Sequence, residues 1–592
     1  MKTSTNFARV AVTAGLTAAM ALGNVVAPAA MAFADTGSTV TFTDVDYAAS
    51  TTYKGIQIFK ATVATAEGAT TLSNIEWASD EAKTAVMAAI KAKDASYASE
   101  NAQDAADWLS ANTGVAGTDS KVASDNVLSM IAANLGASSA WKTTTAGDAS
   151  LSGLEAGYWL FLTADAGKPD GKSTDAFTSP VYAVIDGVSA TNVTPKKGVP
   201  TVEKKILDDA DAADADIKGS DKWKGVADSQ IGQEVNYKLT GTIASNYATF
   251  STYAYKFTDV LSGGLDYVDG SVEVYAKNGS DYSQIDASKY DVTCANNTLT
   301  VEFKVGDGKK GLKDVAGVDA NSKIVVFYKA KLNGNAVIGN APGDTKGGNP
   351  NTVKLEYSNN PYAEGTGETI ENTVADFAFR LNLNKVDQGT EKGLAGAVFT
   401  IRSADANTEG QYVASKTNAA AGVVAGQLVT VADAGNLPEY VKFTSGDDGK
   451  IAVSGLDAGS YKVTEVQTPD DSKYTKASPF TFTITPKYDD SAMKVTGLTA
   501  AVSKADEGRT DIAFGTLDGT AGDHKLTGTD GTGTNAAAGE VTINVGNTKS
   551  VGLPITGLNG VTLTWVAGGA VLVIGVAHLI RSRKQAEESE QE

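Results

Sequence analysis

The chain has 592 residues, 42% of them hydrophobic, and carries 70 acidic against 50 basic side chains for a formal net charge of −20. That length exceeds one core and calls for roughly three to four domains. The acidic balance excludes nucleic acid and anionic membrane as partners, because both need a basic surface.

Residues 1–34 carry Lys2 and Arg9, then a weakly apolar, Ala-rich stretch from Val10 to Val26. Small residues follow at Ala32-Phe33-Ala34, or one step earlier at Ala30-Met31-Ala32. This pattern predicts a secretory signal peptide cleaved near Ala34. From 35 to 198 the pattern is mixed. Ser38 to Thr43, Tyr53 to Phe59, Gly157 to Leu162 and Ser179 to Ile185 predict strands. Ala82 to Leu109 and Asp125 to Leu135 are Ala-rich with helical spacing, so an α+β domain is expected. Val193-Thr194-Pro195-Lys196-Lys197-Gly198-Val199-Pro200 is a proline-bracketed linker, each Pro pushing its predecessor towards extended geometry.

Residues 199–374 alternate almost throughout between closely spaced turn signals, as in a β-sandwich. Three polar residues there keep phase with apolar neighbours: Lys204 with Val202 and Ile206, Asp259 with Tyr255 and Phe257, and Asn351 with Val353 and Leu355. In a strand, period two sends such side chains into the core. Lys205 and Asn349 are the competing choices. Residues 375–550 repeat the arrangement. Lys385 shares a face with Leu381 and Leu383, Glu465 with Val463, and Asn547 with Val541, Ile543 and Val545. The Asp-rich stretch Asp208 to Asp216 lacks the Gly and terminal Glu of a calcium loop and reads as a solvated loop.

In the last segment, 551–592, Leu553-Pro554-Ile555-Thr556-Gly557 precedes an uncharged apolar run from Leu558 to Ile580 and the basic Arg581-Ser582-Arg583-Lys584. The run is long enough for a transmembrane helix, and the basic residues mark its cytoplasmic side. The ordered motif, span and tail resemble the sorting signal of Gram-positive surface proteins, in which a sortase cleaves between Thr and Gly and passes the Thr carbonyl to an amine. The string "YKGIQIFK" and the strand "GLEAGYWLF" resemble the N-terminal domain of major pilins. The strand Ile231 to Tyr237, the run "NKVDQGTEKGLAGAVFTI" and the strand within "GLDAGSYKVTEVQTP" resemble Cna-type pilin domains, the last two the Cna B (prealbumin-like) type.

The resemblance implies a mainly β fold of tandem Ig-like or Cna-type β-sandwich domains behind an α+β N-terminal domain, ending in a transmembrane helix. It implies a Gram-positive, sortase-assembled backbone pilin, secreted and anchored to the cell wall after a membrane-held precursor stage. Its partners would be pilus-assembly and housekeeping sortases, identical subunits in a covalent polymer, minor pilins and peptidoglycan. The linker also resembles the pilin motif that supplies the joining amine, Lys196 by position with Lys197 the alternative; Thr194 stands where the family often has an aromatic. Within the domains the resemblance implies intramolecular isopeptide bonds, Lys204 to Asn351 assisted by Asp259 and Lys385 to Asn547 assisted by Glu465. Burial favours a neutral amine and a neutral acid, and enclosure makes the attack unimolecular. No comparable trio is read in the first domain.

The alternative is a monomeric wall-anchored adhesin for a host protein or glycan, which shares the sorting signal and would lack the joining lysine. An enzyme is not expected. The two histidines are His524, in a Gly/Thr/Asp-rich stretch, and His578, inside the apolar run, so a His-based catalytic or metal site has no good position. The single cysteine, Cys294, rules out an intrachain disulfide. No cofactor or metal is expected.

Overall fold

A computed structural model describes residues 37–550, except 45, 67–68, 115–120, 212–216, 341–345, 472 and 515–533. The expected signal peptide, the sorting motif Leu553 to Gly557, the apolar span, the basic tail and both histidines lie outside the described residues. No helix among the described residues is long and apolar enough to cross a membrane.

The chain is mainly β. In its first part the strand Thr52–Ala66 lies between Ala69–Trp77 and Gly157–Asp165, and the latter pairs on with Val181–Ile185. All three α-helices of the described residues pack on one face of this sheet, through Val86, Ile90, Leu109 and Ile131 against Ile56, Ile58, Leu160 and Leu162. The other face meets a small sheet of Ser150–Leu154, Ser38–Phe42 and Thr191–Val193, through Val40, Phe42, Trp159 and Phe161. Covered on both sides, the Gly157–Asp165 strand is a continuous apolar run rather than an alternation.

The helical stretch from Ala82 to Leu109 is two helices, Asp80–Lys93 and Ala102–Asn112. The break has a local cause. The Asp94 carboxylate accepts from the Ser96 amide and hydroxyl, turning the chain, and the Asn101 side chain then caps the second helix on Gln103 and Asp104. The first helix opens on Ser79, which accepts from the Ala82 amide, and carries acids in its first turn and lysines in its last, matching the helix dipole.

The middle body is two facing sheets. One runs Val226–Asp228, Asn372–Phe377, Asn349–Ser358, Tyr255–Leu261, Thr298–Phe303, Asp291–Ala295. The other runs Asp281–Gln284, Glu273–Asn278, Lys323–Leu332, Glu234–Thr242, Val202–Leu207. Strict alternation builds it: Asn349–Ser358 buries every second side chain. The last body sets Lys450–Leu456, Phe379–Asp387, Glu540–Asn547 and Ile512–Phe514 against a sheet centred on Val398–Ser403, Gly459–Gln467 and Phe480–Asp489.

The strand Asn372–Phe377 pairs inside the middle body, so that body reaches Phe377, three residues beyond the expected division after 374. Its alternate side chains serve two cores: Val374 packs in the middle one, Ala375 and Phe377 in the last. Period two is what permits one strand to do both.

Candidate functional sites: buried lysines between facing sheets

Lys204 sits in the Val202–Leu207 strand of one middle sheet; Asp259 and Asn351 come from adjacent strands of the other. All three are buried. The Lys204 amine donates to both Asp259 oxygens, at 2.6 Å to Oδ2, and to Tyr328 Oη at 2.9 Å. Tyr328 Oη donates to Asp259 Oδ2 at 2.7 Å and accepts from Asn351 Nδ2 at 2.7 Å. Tyr328 thus connects the acid to the amide. Asn351 Oδ1 is buried without a hydrogen-bond partner, leaving the side-chain carbonyl uncommitted. The amine lies 5.3 Å from the ring centroids of both Tyr237 and Tyr328, which stack on each other. Burial lowers the Lys204 pKa to about 8, against the pull of Asp259.

The competing residues are engaged elsewhere. Lys205 is half-buried beside Glu203 at 3.5 Å. Asn349 spends its side chain on the backbone, accepting from the Val337 amide and donating to the Val337 and Asp376 carbonyls.

In the last body Phe379–Asp387 and Glu540–Asn547 are parallel neighbours, with Lys385 opposite Val545 and Asp387 opposite Asn547. Glu465 reaches in from the facing sheet. The Lys385 amine donates to Asn547 Oδ1, lies 3.3 Å from the Val545 carbonyl and 3.4 Å from Glu465 Oε1. Asn547 Nδ2 donates to Glu465 Oε1 at 3.0 Å, and the Ala477 amide holds Glu465 Oε2 at 2.6 Å. Amine, carbonyl and acid therefore meet in one buried cluster, against the ring of Phe399. Burial lowers the Lys385 pKa to about 8, opposed by Glu465. The lowered pKa brings the nucleophilic neutral amine within reach of physiological pH.

Between the first and middle bodies, Lys196 is half-buried; its amide donates to Thr178 Oγ1 at 2.6 Å and its carbonyl accepts from Ser179. Lys197 turns inward instead, its side chain only 8% exposed. The residue that sequence reasoning missed is Tyr328. Its alternation with Ile324 and Val326 was visible, but a core tyrosine carries no chemical signature by itself.

Fold and sites together define a class: tandem β-sandwiches that each bury a lysine beside an acid and an asparagine. The family model of the Gram-positive pilin backbone subunit 2 Cna-B-like domain matches residues 231–361, and that of the SpaA prealbumin-like fold domain matches 379–498. The first match spans Asp259, Tyr328 and Asn351, the second Lys385 and Glu465. Within these two segments the chain is homologous to backbone pilin subunits of Gram-positive pili. Similar solved structures include the T6 backbone pilin of serotype M6 Streptococcus pyogenes, at 14% identity over 87% of this chain and 99% of that one, with TM-score 0.47. The full-length major pilin SpaD of Corynebacterium diphtheriae is 15% identical over 87% of this chain and 98% of that one, with TM-score 0.40. The group B streptococcus pilus 2b backbone protein is 22% identical over 54% and 95%, with TM-score 0.35. No curated protein matches the chain.

Proposed function

We propose that this protein is the repeating subunit of a covalent fimbria, in which a sortase joins Thr556 of one subunit to Lys196 of the next. The observation that carries the reading is a pilin-backbone Cna-B-like domain followed by a SpaA prealbumin-like domain, in a chain that also has the ordered sorting signal Leu553-Pro554-Ile555-Thr556-Gly557, apolar run and basic tail. The apolar run holds the precursor in the membrane until transfer, and a housekeeping sortase passes the finished polymer to peptidoglycan. The position of Lys196 at the end of the first body supports it as the joining amine, and the inward turn of Lys197 weakens that alternative.

Inside each subunit, Lys204 attacks the side-chain carbonyl of Asn351, and Lys385 that of Asn547. A C–N bond forms to the lysine, the bond to Nδ2 breaks, and ammonia leaves with the proton carried across by Asp259 or Glu465. The contact between Lys385 and Asn547 Oδ1 supports this pairing in the last body, because it sets the amine beside the carbonyl group it attacks.

The test is a Lys196→Ala variant expressed in the native host, with peptide mapping of enzymatically released wall material. The expected result is folded monomer without polymer, and in the unaltered protein a branched peptide joining Thr556 to Lys196. If Thr556 were found only on wall peptide, the protein would be a monomeric anchored adhesin.

A further inference from the structure

The first body contains a third enclosed lysine site that neither the sequence pattern nor the domain families assign. Lys197 Nζ donates to Asp44 Oδ2 at 2.5 Å and to Asp175 Oδ2. Exposure of the three side chains is 8%, 10% and 0%. Tyr53 Oη donates to Asp44 Oδ2 and stands 3.4 Å from the amine. The rings of Tyr47 and Tyr53 cover the nitrogen, their centroids at 5.2 and 5.6 Å. Thr51 Oγ1 donates to Asp175 Oδ2 at 2.6 Å, and the Ala176 amide to Asp175 Oδ1 at 2.7 Å.

The parts match those around Lys204 and Lys385: a buried amine, a carbonyl carbon within reach, a carboxyl group beside them to carry protons, and an aromatic cover. Here the acceptor is an acid rather than an amide. One cation facing two enclosed carboxyl groups leaves one of them without a counter-charge, so that one is stable only as the neutral acid. Asp175 is the more enclosed of the two, and burial pushes its carboxyl up, ahead of the opposing pull of Lys197.

We infer that Lys197 and Asp175 form an intramolecular amide, with Asp44 as the proton carrier. The neutral Lys197 amine attacks Cγ of the protonated Asp175 carboxyl group, and the Ala176 amide holds the oxygen on which charge develops. The new C–N bond forms, the C–OH bond breaks, and the amine proton passes through Asp44 to the departing hydroxyl, which leaves as water. No oxidant or external reactant is needed. The product ties the start of the linker to the first body and removes Lys197 from any intermolecular joining, which leaves Lys196 for it.

The experiment uses the unaltered full chain, denatured, reductively methylated at every free amine and cleaved after glutamate. Residues 156–203, between Glu155 and Glu203, then emerge as one peptide containing both Asp175 and Lys197. The expected peptide is short by one water, has Lys197 unmethylated while Lys168, Lys172 and Lys196 are methylated, and gives no backbone fragments between 175 and 197. An Asp44→Ala variant is expected to yield the full mass with Lys197 methylated. A methylated Lys197 in the unaltered chain overturns the inference. That includes a peptide that has lost water, since dehydration at Asp170-Gly171 or Asp186-Gly187 would then be the cause. Discovery of Thr556 attached to Lys197 overturns it equally. None of these readings depends on whether the links at Lys204 and Lys385 form, because both lie outside this peptide.

Discussion

Lys385 and Asn547 approach each other from parallel neighbouring strands, the amine of one donating to the side-chain carbonyl of the other while Glu465 takes the amide hydrogen at 3.0 Å. The strands are the first and last of their body, so a covalent link between them encloses nearly all of it.

A Glu465→Gln variant keeps the volume and can still accept from Ala477, yet it cannot carry a proton. The expected outcome is a folded last body with free Lys385, an intact mass one ammonia above that calculated for the same variant with the Lys385 link closed, and a loss of about 5 kcal/mol of stability in the chain-entropy treatment of long closed loops. Mass spectrometry of the denatured chain and chemical unfolding check the two parts separately.

Tyr328→Phe removes the hydroxyl shared by Lys204, Asp259 and Asn351 and nothing else. A hydrogen bond to a charged group contributes about 1.5–3 kcal/mol, so cross-linking of the middle body is expected to slow roughly ten- to a hundredfold. The link at Lys385 should form at its usual rate, because the two sites share no partner. Mass spectra of denatured samples withdrawn at intervals during cell-free synthesis, where each chain starts unlinked, distinguish the two.

The contact between the middle and last bodies is rich in acid. The Asp228 carboxylate accepts from the Ala458 amide at 3.2 Å and from Tyr488 Oη, and the Asp228 amide donates to Asp208 Oδ2 at 3.4 Å. Burial first, then the charges of Asp228 and Asp209, push the Asp208 carboxyl up to about 7, and Asp457 is also pushed well up, by burial and Asp228. Lys224, paired with Asp211 at 2.8 Å, is a cation that feels this cluster. An acid with a raised folded pKa holds its proton better folded than unfolded. Its contribution is therefore full below the ordinary carboxylate range, about pH 4, and is lost as pH rises to about 7. Thermal melts across that window are expected to show the unaltered protein losing ground to Asp208→Asn as pH rises, with a constant gap above it.

Much of both pilin-type sites was legible because strands report burial by parity. Lys385 in step with Leu381 and Leu383, or Asp259 in step with Tyr255 and Phe257, marks an inward polar group without any coordinate. The same parity left Lys204 against Lys205 open, since a bulge or shifted edge reverses the count. It cannot separate Asn351 from Asn349, which lie two apart on one strand and share its inward face. Packing decides between them: Lys205 lies beside Glu203, and Asn349 is consumed by backbone. Lys197 could not be read this way. Asp44 follows the end of a strand and Asp175 lies in an irregular segment, where no period tells inside from outside. The helical stretch 82–109 hid its break for a related reason, because the Asp94 turn is written in side-chain hydrogen bonds rather than in apolar spacing.

The strand Asn372–Phe377, with Val374 in one core and Ala375 and Phe377 in the next, makes the two bodies thermodynamically inseparable. Peeling it away to open the middle body strips Phe377 from the last, at roughly 1.5–3 kcal/mol for that side chain alone. Calorimetry should accordingly give one shared transition for both. A fragment cut at 374/375 would begin or end on a half-dressed strand, and whichever body lost it would melt at a lower temperature than it does in the intact chain.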